Sequence, residues 1–324
     1  MEKYYYGVAR ARTLEARLLT PAQVARMAAA SDFQAAFAVL SETIYADHLA
    51  KLKAAFDLEE LCELELSALK KLMDQLAPGN EVLAALFRKY DYFNLKILLR
   101  GSLAGAGDLA YYSLAGTLPF EKLKLCVYEG IKEIEDQEIF QALDEARVRY
   151  EPSKDPQMLD ITLDRHYYRG LKRVADSTPS RLIRDLVKHL LDLANLRTLL
   201  RCQELKRDKK FLEAALLEPG LIDKDVLLDL REKSLPDIVS RLNYTPYFPA
   251  LAGGFEGHPL EKLMDDFILD QFRKAKYLVS GIEPLVGFTL AKESEIKTVR
   301  FVLICKKNYV EAERIKERLR ASYA

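Results

Sequence analysis

The chain has 324 residues, 49% of them apolar and 30% charged, with 49 basic against 49 acidic side chains. So much apolar surface excludes a disordered chain, and the even charge balance argues against a general nucleic-acid binder, which carries a basic excess. Few breakers (14 Gly, 12 Pro), no Trp, and abundant Leu, Ala, Glu, Lys and Arg favour helix.

In chain order, Met1-Glu2-Lys3-Tyr4 leads into no apolar core of signal-peptide length. No run approaches the roughly 18–20 apolar residues of a membrane helix. The expectation is a cytosolic protein that, if it works at a membrane, does so by docking onto something else. Thr20-Pro21 is a helix start, because Thr caps and Pro fits the first helical position. Ser31-Asp32 restarts the chain. A leucine-periodic helix spans about 57–76, breaks at Pro78-Gly79 and restarts after Asn80, with Gly101 as its expected stop. Gly101, Gly105 and Gly107 form a first linker. Thr178-Pro179 opens the helix that carries Asp192, and Lys206-Arg207-Asp208-Lys209-Lys210 marks a second linker. Pro259 and Pro284 each open a helix in the last third. Strand patterning is nearly absent, so the fold class is all-α. Cys62, Cys126, Cys202 and Cys305 form no CxxC pair, and His48, His166, His189 and His258 have no metal-ligand spacing. The cysteines read as small core residues, and no cofactor or metal is expected.

The chain is self-similar at about one hundred residues. Residues 91–100 read DYFNLKILLR and residues 192–201 read DLANLRTLLR, both fitting D-x-x-N-L-[KR]-x-L-L-R at an offset of 101 (192 − 91). Residues 295–304, EIKTVRFVLI, keep the acid Glu295, Val299 and the base Arg300 but carry Thr298 for Asn and Ile304 for the final Arg. A second element recurs in step. Leu19-Thr20-Pro21, leading to Thr43-Ile44-Tyr45, matches Leu221-Ile222-Asp223, leading to Thr245-Pro246-Tyr247. Thr117-Leu118-Pro119 starts a looser middle copy. The period is too long for the common solenoid repeats, so each copy is expected to be a small helical domain: residues 1–106, 107–209 and 210–324.

On a helix at 100° per residue, Asp91 and Asn94 fall within about 60° of each other, and Lys96 and Arg100 lie within about 40° of each other on roughly the opposite side. The apolar residues between them call for burial. Buried polar groups need partners, since an unpaired one costs about 1–3 kcal/mol. Asp192, Asn195, Arg197 and Arg201 repeat the geometry, and Glu295 and Arg300 keep part of it. These ten residues are the candidate interface or cavity positions. Two readings stay open: they tie helices together within each repeat, or the basic side of one repeat meets the acidic side of the next or lines a shared central cavity.

Four stretches together resemble a known family: Tyr4 to Tyr45, with Gly7-Val8-Ala9-Arg10-Ala11-Arg12, Arg17-Leu18-Leu19-Thr20 and Leu40-Ser41-Glu42-Thr43-Ile44-Tyr45; the two DxxNL[KR]xLLR helices; and Glu283-Pro284-Leu285-Val286-Gly287 with Lys292-Glu293-Ser294-Glu295 and Val299-Arg300. In this order and spacing the chain resembles the C subunit of archaeal and bacterial A/V-type ATPases, the relative of the eukaryotic V-ATPase d subunit. The match is loosest over about 107–150. The resemblance implies a funnel-shaped protein of three pseudo-threefold-related helical domains around a central cavity. It implies a non-catalytic rotor component between the soluble central stalk and the membrane proteolipid ring, coupling ATP hydrolysis or synthesis to proton or sodium transport. The implied partners are the stalk subunits and the ring, with no nucleic acid, membrane contact only through the ring, and a monomeric isolated chain.

Two other readings compete. An enzyme would need a signature the chain lacks: there is no G-x-x-x-x-G-K-[ST] loop, no G-x-G-x-x-G after a strand and no H-E-x-x-H. Paired acids such as Glu59-Glu60 and Asp265-Asp266 read as solvated helix faces. The alternative is a generic helical repeat scaffold binding a peptide or RNA, for which Lys206 to Lys210 and the tail bases Arg314, Lys316, Arg318 and Arg320 would serve.

Overall fold

The computed structural model describes residues 4–104, 112–252 and 260–323, all helix and turn with no strand among them. In chain order the helices are α1 (Tyr5–Glu15), α2 (Pro21–Ala29), α3 (Phe33–Ala38), α4 (Ala46–Leu49), α5 (Leu58–Leu76), α6 (Glu81–Ala104), α7 (Phe120–Glu129), α8 (Gln137–Tyr150) and α9 (Pro156–Ser177). They continue as α10 (Arg181–Glu204), α11 (Lys209–Ala215), α12 (Lys224–Asp229), α13 (Leu235–Arg241), α14 (Phe248–Ala252), α15 (Leu260–Arg273), α16 (Glu283–Lys307) and α17 (Ala312–Glu317). The all-helical expectation holds.

Helix starts follow the sequence signals. Thr20 and Gln23 form a reciprocal capping box with Pro21 in the first turn of α2. The Asp32 carboxylate accepts from Ala35 N, and Asp57 opens α5 by accepting from Glu60 N. Asn80 Oδ1 accepts from Leu83 N at the head of α6, and Pro284 sits in the first turn of α16. Two expectations shift. α6 runs through Gly101 to Ala104, because a helical glycine costs only about 1 kcal/mol relative to Ala, less than a long packed helix gains by continuing. α10 is capped by Ser180, whose hydroxyl accepts from Ile183 N, with Thr178 and Pro179 just outside. Gly105, Gly107, His258 and Pro259 lie outside the described residues. Cys62, Cys126 and Cys202 are buried free thiols and Cys305 is half-buried.

The chain forms two compact units. One comprises Met1–Pro78 with Glu232–Ala324. Here α16 is the central helix, packed by α1, α2, α3, α5 and α15. Its core joins Met27, Leu40, Tyr45 and Leu61 to Val302, Leu303 and Ile315. The other unit is Gly79–Arg231. In it α9 lies against α6, α8 and α10, with α7 on α6. The first unit therefore has a motif helix, α16, at its centre, whereas in the second the motif helices α6 and α10 both pack against a central α9.

Candidate functional site

The motif acids and amides are interior groups, each spent on one task. Asp91 and Asn94 on α6 and Asp192 and Asn195 on α10 are all 0% exposed. Asp91 accepts from the backbone N–H groups of Thr117 and Leu118, both at 3.0 Å, and from the Thr117 hydroxyl at 2.5 Å. Asn94 exchanges two hydrogen bonds with Ser113, donating to its carbonyl and accepting from its N–H, both at 2.8 Å. Asp192 accepts from Gly220 N at 3.1 Å, Leu221 N at 2.7 Å and Ile222 N at 3.1 Å. Asn195 accepts from Leu217 N at 2.8 Å. In the third copy Glu295 accepts from Leu19 N, from the Tyr45 hydroxyl at 3.0 Å and from Lys292 Nζ at 2.7 Å. Thr298, in place of the amide, donates to the Ser294 carbonyl of its own helix.

The two recurring sequence elements thus bind each other. Thr117-Leu118, Leu221-Ile222 and Leu19 lie in the three recurring openings, and each is clasped by a motif acid from another copy of the motif. Asp91 of the first copy holds the opening of the second, Asp192 of the second holds that of the third, and Glu295 of the third holds that of the first. A carboxylate accepting two or three backbone N–H groups satisfies turn donors that would otherwise be buried unpaired. Burial pushes the Asp91 carboxyl above its ordinary range, and the bonds from Thr117 and Leu118 and the nearby Arg88 pull against that rise.

Two glycines make the aspartate clasps possible. A Cβ on Gly116 would stand 2.2 Å from Asp91 Oδ1, and one on Gly220 would stand 2.2 Å from the Lys188 carbonyl and 2.7 Å from Asp192 Oδ1. Counted back from the helix N-caps Thr20, Pro119 and Asp223, the matching residue in the first repeat is Arg17, beside the one clasp that uses a longer glutamate.

A base stands one turn before each motif acid: Arg88, His189 and Lys292. Arg88 pairs with Asp136 at 2.8 Å. Burial lowers the His189 pKa. Lys292 is the centre of a buried network, 2.8 Å from Glu65 Oε2, 2.7 Å from Glu295 Oε1 and 4.2 Å from the centroid of the Tyr45 ring. Glu65 also meets His48 Nδ1 at 2.7 Å. Burial alone would raise the Glu65 pKa, but His48 and Lys292 outweigh it and hold the carboxyl below its ordinary value. These bases, Glu65 and the paired glycines are absent from the ten candidate positions, although 88, 189 and 292 lie in register with the motif acids.

The basic side of the motif divides. Lys96 pairs with Asp164 at 2.6 Å, Arg100 pairs with Asp160, and Arg300 pairs with Glu59 at 2.6 Å. Arg197 and Arg201 are exposed, and the positive charge of Arg197 is felt at Asp164. The motif carboxylates are therefore engaged with backbone and neighbouring cations rather than presented to a substrate. Among the described residues no group of three or more His, Cys, Asp or Glu could hold a metal ion, and no helix is long and apolar enough to cross a membrane.

The fold and its clasps define a class: an all-helical protein with a recurring sequence motif whose acids and amides bind backbone groups in the interior. Residues 7–318 match the family model described as ATP synthase (C/AC39) subunit, and the chain belongs to that family. The resemblance drawn from the four stretches is thereby confirmed. The chain is similar to the C subunit of the A-type ATP synthase of Methanocaldococcus jannaschii, at 24% identity over 98% of this chain and 86% of the relative. It is similar to the C subunit of the V-type sodium ATPase of Enterococcus hirae, at 25% identity over 82% of this chain and 83% of the relative. The C subunit of the A-type ATP synthase of Pyrococcus horikoshii is 24% identical over 97% of this chain and 89% of the relative.

Proposed function

We propose that this protein is a non-catalytic component of an A/V-type rotary ATPase, peripheral on the cytoplasmic side of the membrane. In that role it joins the central stalk to the proteolipid ring so that ATP hydrolysis or synthesis is linked to proton or sodium transport. The observation that carries this reading is the family match over residues 7–318, together with relatives named as the C subunit of A-type and V-type enzymes. The clasps suit the mechanical role. A part that passes torque must resist shear between its elements, and a buried carboxylate gripping several backbone N–H groups resists it directionally, which packing alone does not.

In this proposal the repeats 1–106, 107–209 and 210–324 are pseudo-threefold-related domains of a funnel. Asp91, Asn94, Asp192, Asn195 and Glu295 hold its wall. Lys96, Arg100, Arg197, Arg201 and Arg300 turn their charge toward the cavity, where Arg100, Arg197 and Arg201 are the most exposed and are the residues offered to the stalk.

The test is binding of the purified chain to the cognate stalk complex and, separately, to the detergent-solubilised proteolipid ring, by size-exclusion chromatography with light scattering. One-to-one binding to both is expected. A folded chain that binds neither overturns the proposal and leaves a helical scaffold for a peptide or RNA.

A further inference from the structure

The most exposed run of apolar side chains among the described residues precedes α16. Tyr277, Leu278 and Val279 are consecutive and 87%, 41% and 76% exposed. The segment that bears them, a 3-10 turn over Lys274–Tyr277 and the residues after it, is tied down by hydrogen bonds. Ala275 is fully buried. The Arg12 guanidinium donates to the carbonyls of Ala275 at 2.6 Å and Leu278 at 3.3 Å, and is itself gripped by Glu15 at 2.7 and 2.8 Å. Lys276 Nζ donates to the Tyr323 carbonyl and lies 4.3 Å from the centroid of the Tyr323 ring. Leu278 N closes the turn onto the Ala275 carbonyl at 3.1 Å. An arginine 263 residues from Ala275 in sequence thus fixes the backbone, and the fixed backbone presents three apolar side chains to the outside. Holding them there sets their large exposed surface against the hydrophobic effect, so the arrangement calls for an occupant.

The flanking chemistry selects that occupant. The triple follows Arg273, Lys274 and Lys276, giving Arg-Lys-Ala-Lys-Tyr-Leu-Val. Arg273 and Lys274 are exposed; Arg273 donates to the Ser322 carbonyl at 3.2 Å and stands 3.7 Å from Asp270, which leaves its charge largely unneutralised. Three side chains fall far short of the roughly 1,000 Å² that a specific protein interface buries. They suit the interfacial zone of a bilayer, where a tyrosine ring sits at headgroup depth, aliphatic neighbours enter the acyl boundary and adjacent bases meet anionic lipid.

We propose that the segment Arg273–Val279 inserts Tyr277, Leu278 and Val279 into the headgroup region of an anionic lipid bilayer. This goes beyond the proposed function, in which the membrane is reached only through the proteolipid ring.

The chain has no tryptophan, so Tyr277→Trp supplies a single fluorescent reporter at the tip. With vesicles of phosphatidylcholine and phosphatidylglycerol its emission shifts to the blue and is quenched by brominated acyl chains. The response weakens with phosphatidylcholine alone and with added salt. Tyr309→Trp, at a second exposed tyrosine, stays unshifted. Replacing Tyr277, Leu278 and Val279 together by Ser lowers vesicle partitioning by about tenfold or more and leaves the unfolding midpoint unchanged. No shift with either vesicle, or an equal shift in the Tyr309→Trp chain, overturns the proposal. So does a shift that appears only on adding the ring in lipid-free detergent, which would make the occupant a protein groove. The triple-Ser chain should still bind the stalk complex and the ring, so loss of lipid contact and failure of the coupling role are separate results.

Discussion

The two compact units solve one problem in two ways. In the Gly79–Arg231 unit, two short aspartates grip repeat openings that have been cut back to glycine, and each is helped by an asparagine one turn along. In the other unit a glutamate reaches an opening that carries Arg17, has no amide to help it, and leans on a buried cation and a tyrosine. The first solution spends close backbone approach and few charges. The second tolerates a side chain at the turn but commits Lys292, Glu65 and Glu295 to the interior together. A repeated motif therefore repeats a task, the holding of the next opening, more faithfully than it repeats the atoms that perform it.

The comparison breaks most visibly at Lys292. Removing one partner of a buried ion network leaves uncompensated charge, at a cost of about 3–5 kcal/mol. Lys292→Met should destabilise its unit by that order, read as a lowered urea midpoint with loss of hydrogen-exchange protection in α5 and α16. Arg88→Met, at the matching place in a partly exposed pair, should cost clearly less. Equal effects would mean that the two units do not divide their charges in this way.

The glycines sharpen it next. Gly220→Ala forces a Cβ against the Lys188 carbonyl and Asp192, an overpacking cost of about 1–3 kcal/mol. Arg17→Ala, at the same place in the first repeat, should stay within about 0.5 kcal/mol, as an exposed substitution does. A neutral Gly220→Ala in chemical unfolding would show that the close approach is not required.

Acid should separate the units further. In the Glu65 unit the depressed carboxyls agree in sign. Burial would raise both Glu65 and Asp265, but His48 and Lys292 hold down the first, and Lys297 and Arg320 the second. A depressed folded pKa contributes stability that is present above the unfolded value of about 4 and is lost as pH falls through the folded value. In the other unit, Arg173 lowers Glu138. Burial would raise Glu145, but His166 and Arg149 hold it down, whereas at Asp91 burial wins and the carboxyl is raised. The raised Asp91 works in the opposite direction, its penalty relieved as pH falls. Below about pH 4, hydrogen exchange should open α5 before α9. The reverse order would refute the sign assignment.

Much of this was legible in the sequence, and what was not has a physical cause. The helix starts at Thr20, Asp32, Asn80 and Pro284 were readable because capping is local chemistry. The motif acids were visible as repeats, and so were the openings, but their pairing is a contact across 26 to 30 residues in two copies and across 276 in the third. Spacing gives no sign of such a contact. The stop expected at Gly101 failed because a glycine's local preference is small beside the packing of a long helix. Gly116 and Gly220 were hidden because a glycine that avoids a clash looks like any other turn glycine until the clashing atom is known. Lys292 and Glu65 were hidden because helices this rich in charge make a buried ion pair look like another solvated face.

The smallest predicted effects concern the bases on the basic side of the motif. Arg300 and Glu59 are each close to half exposed, and such a pair contributes about 0–1 kcal/mol. Arg300→Glu should therefore barely move the unfolding midpoint, and the exchange Arg300→Glu with Glu59→Arg should recover what little is lost. Arg201 is exposed, and Arg201→Glu should leave stability unchanged. If these arginines face the stalk, the same substitutions weaken binding to the stalk complex, with a salt dependence that falls as each charge is removed. Unchanged stability with weakened binding would place the partner's surface on the basic side of the motif helices. A large stability loss at Arg201 would make that side architectural too, and the motif would then be structural on both faces.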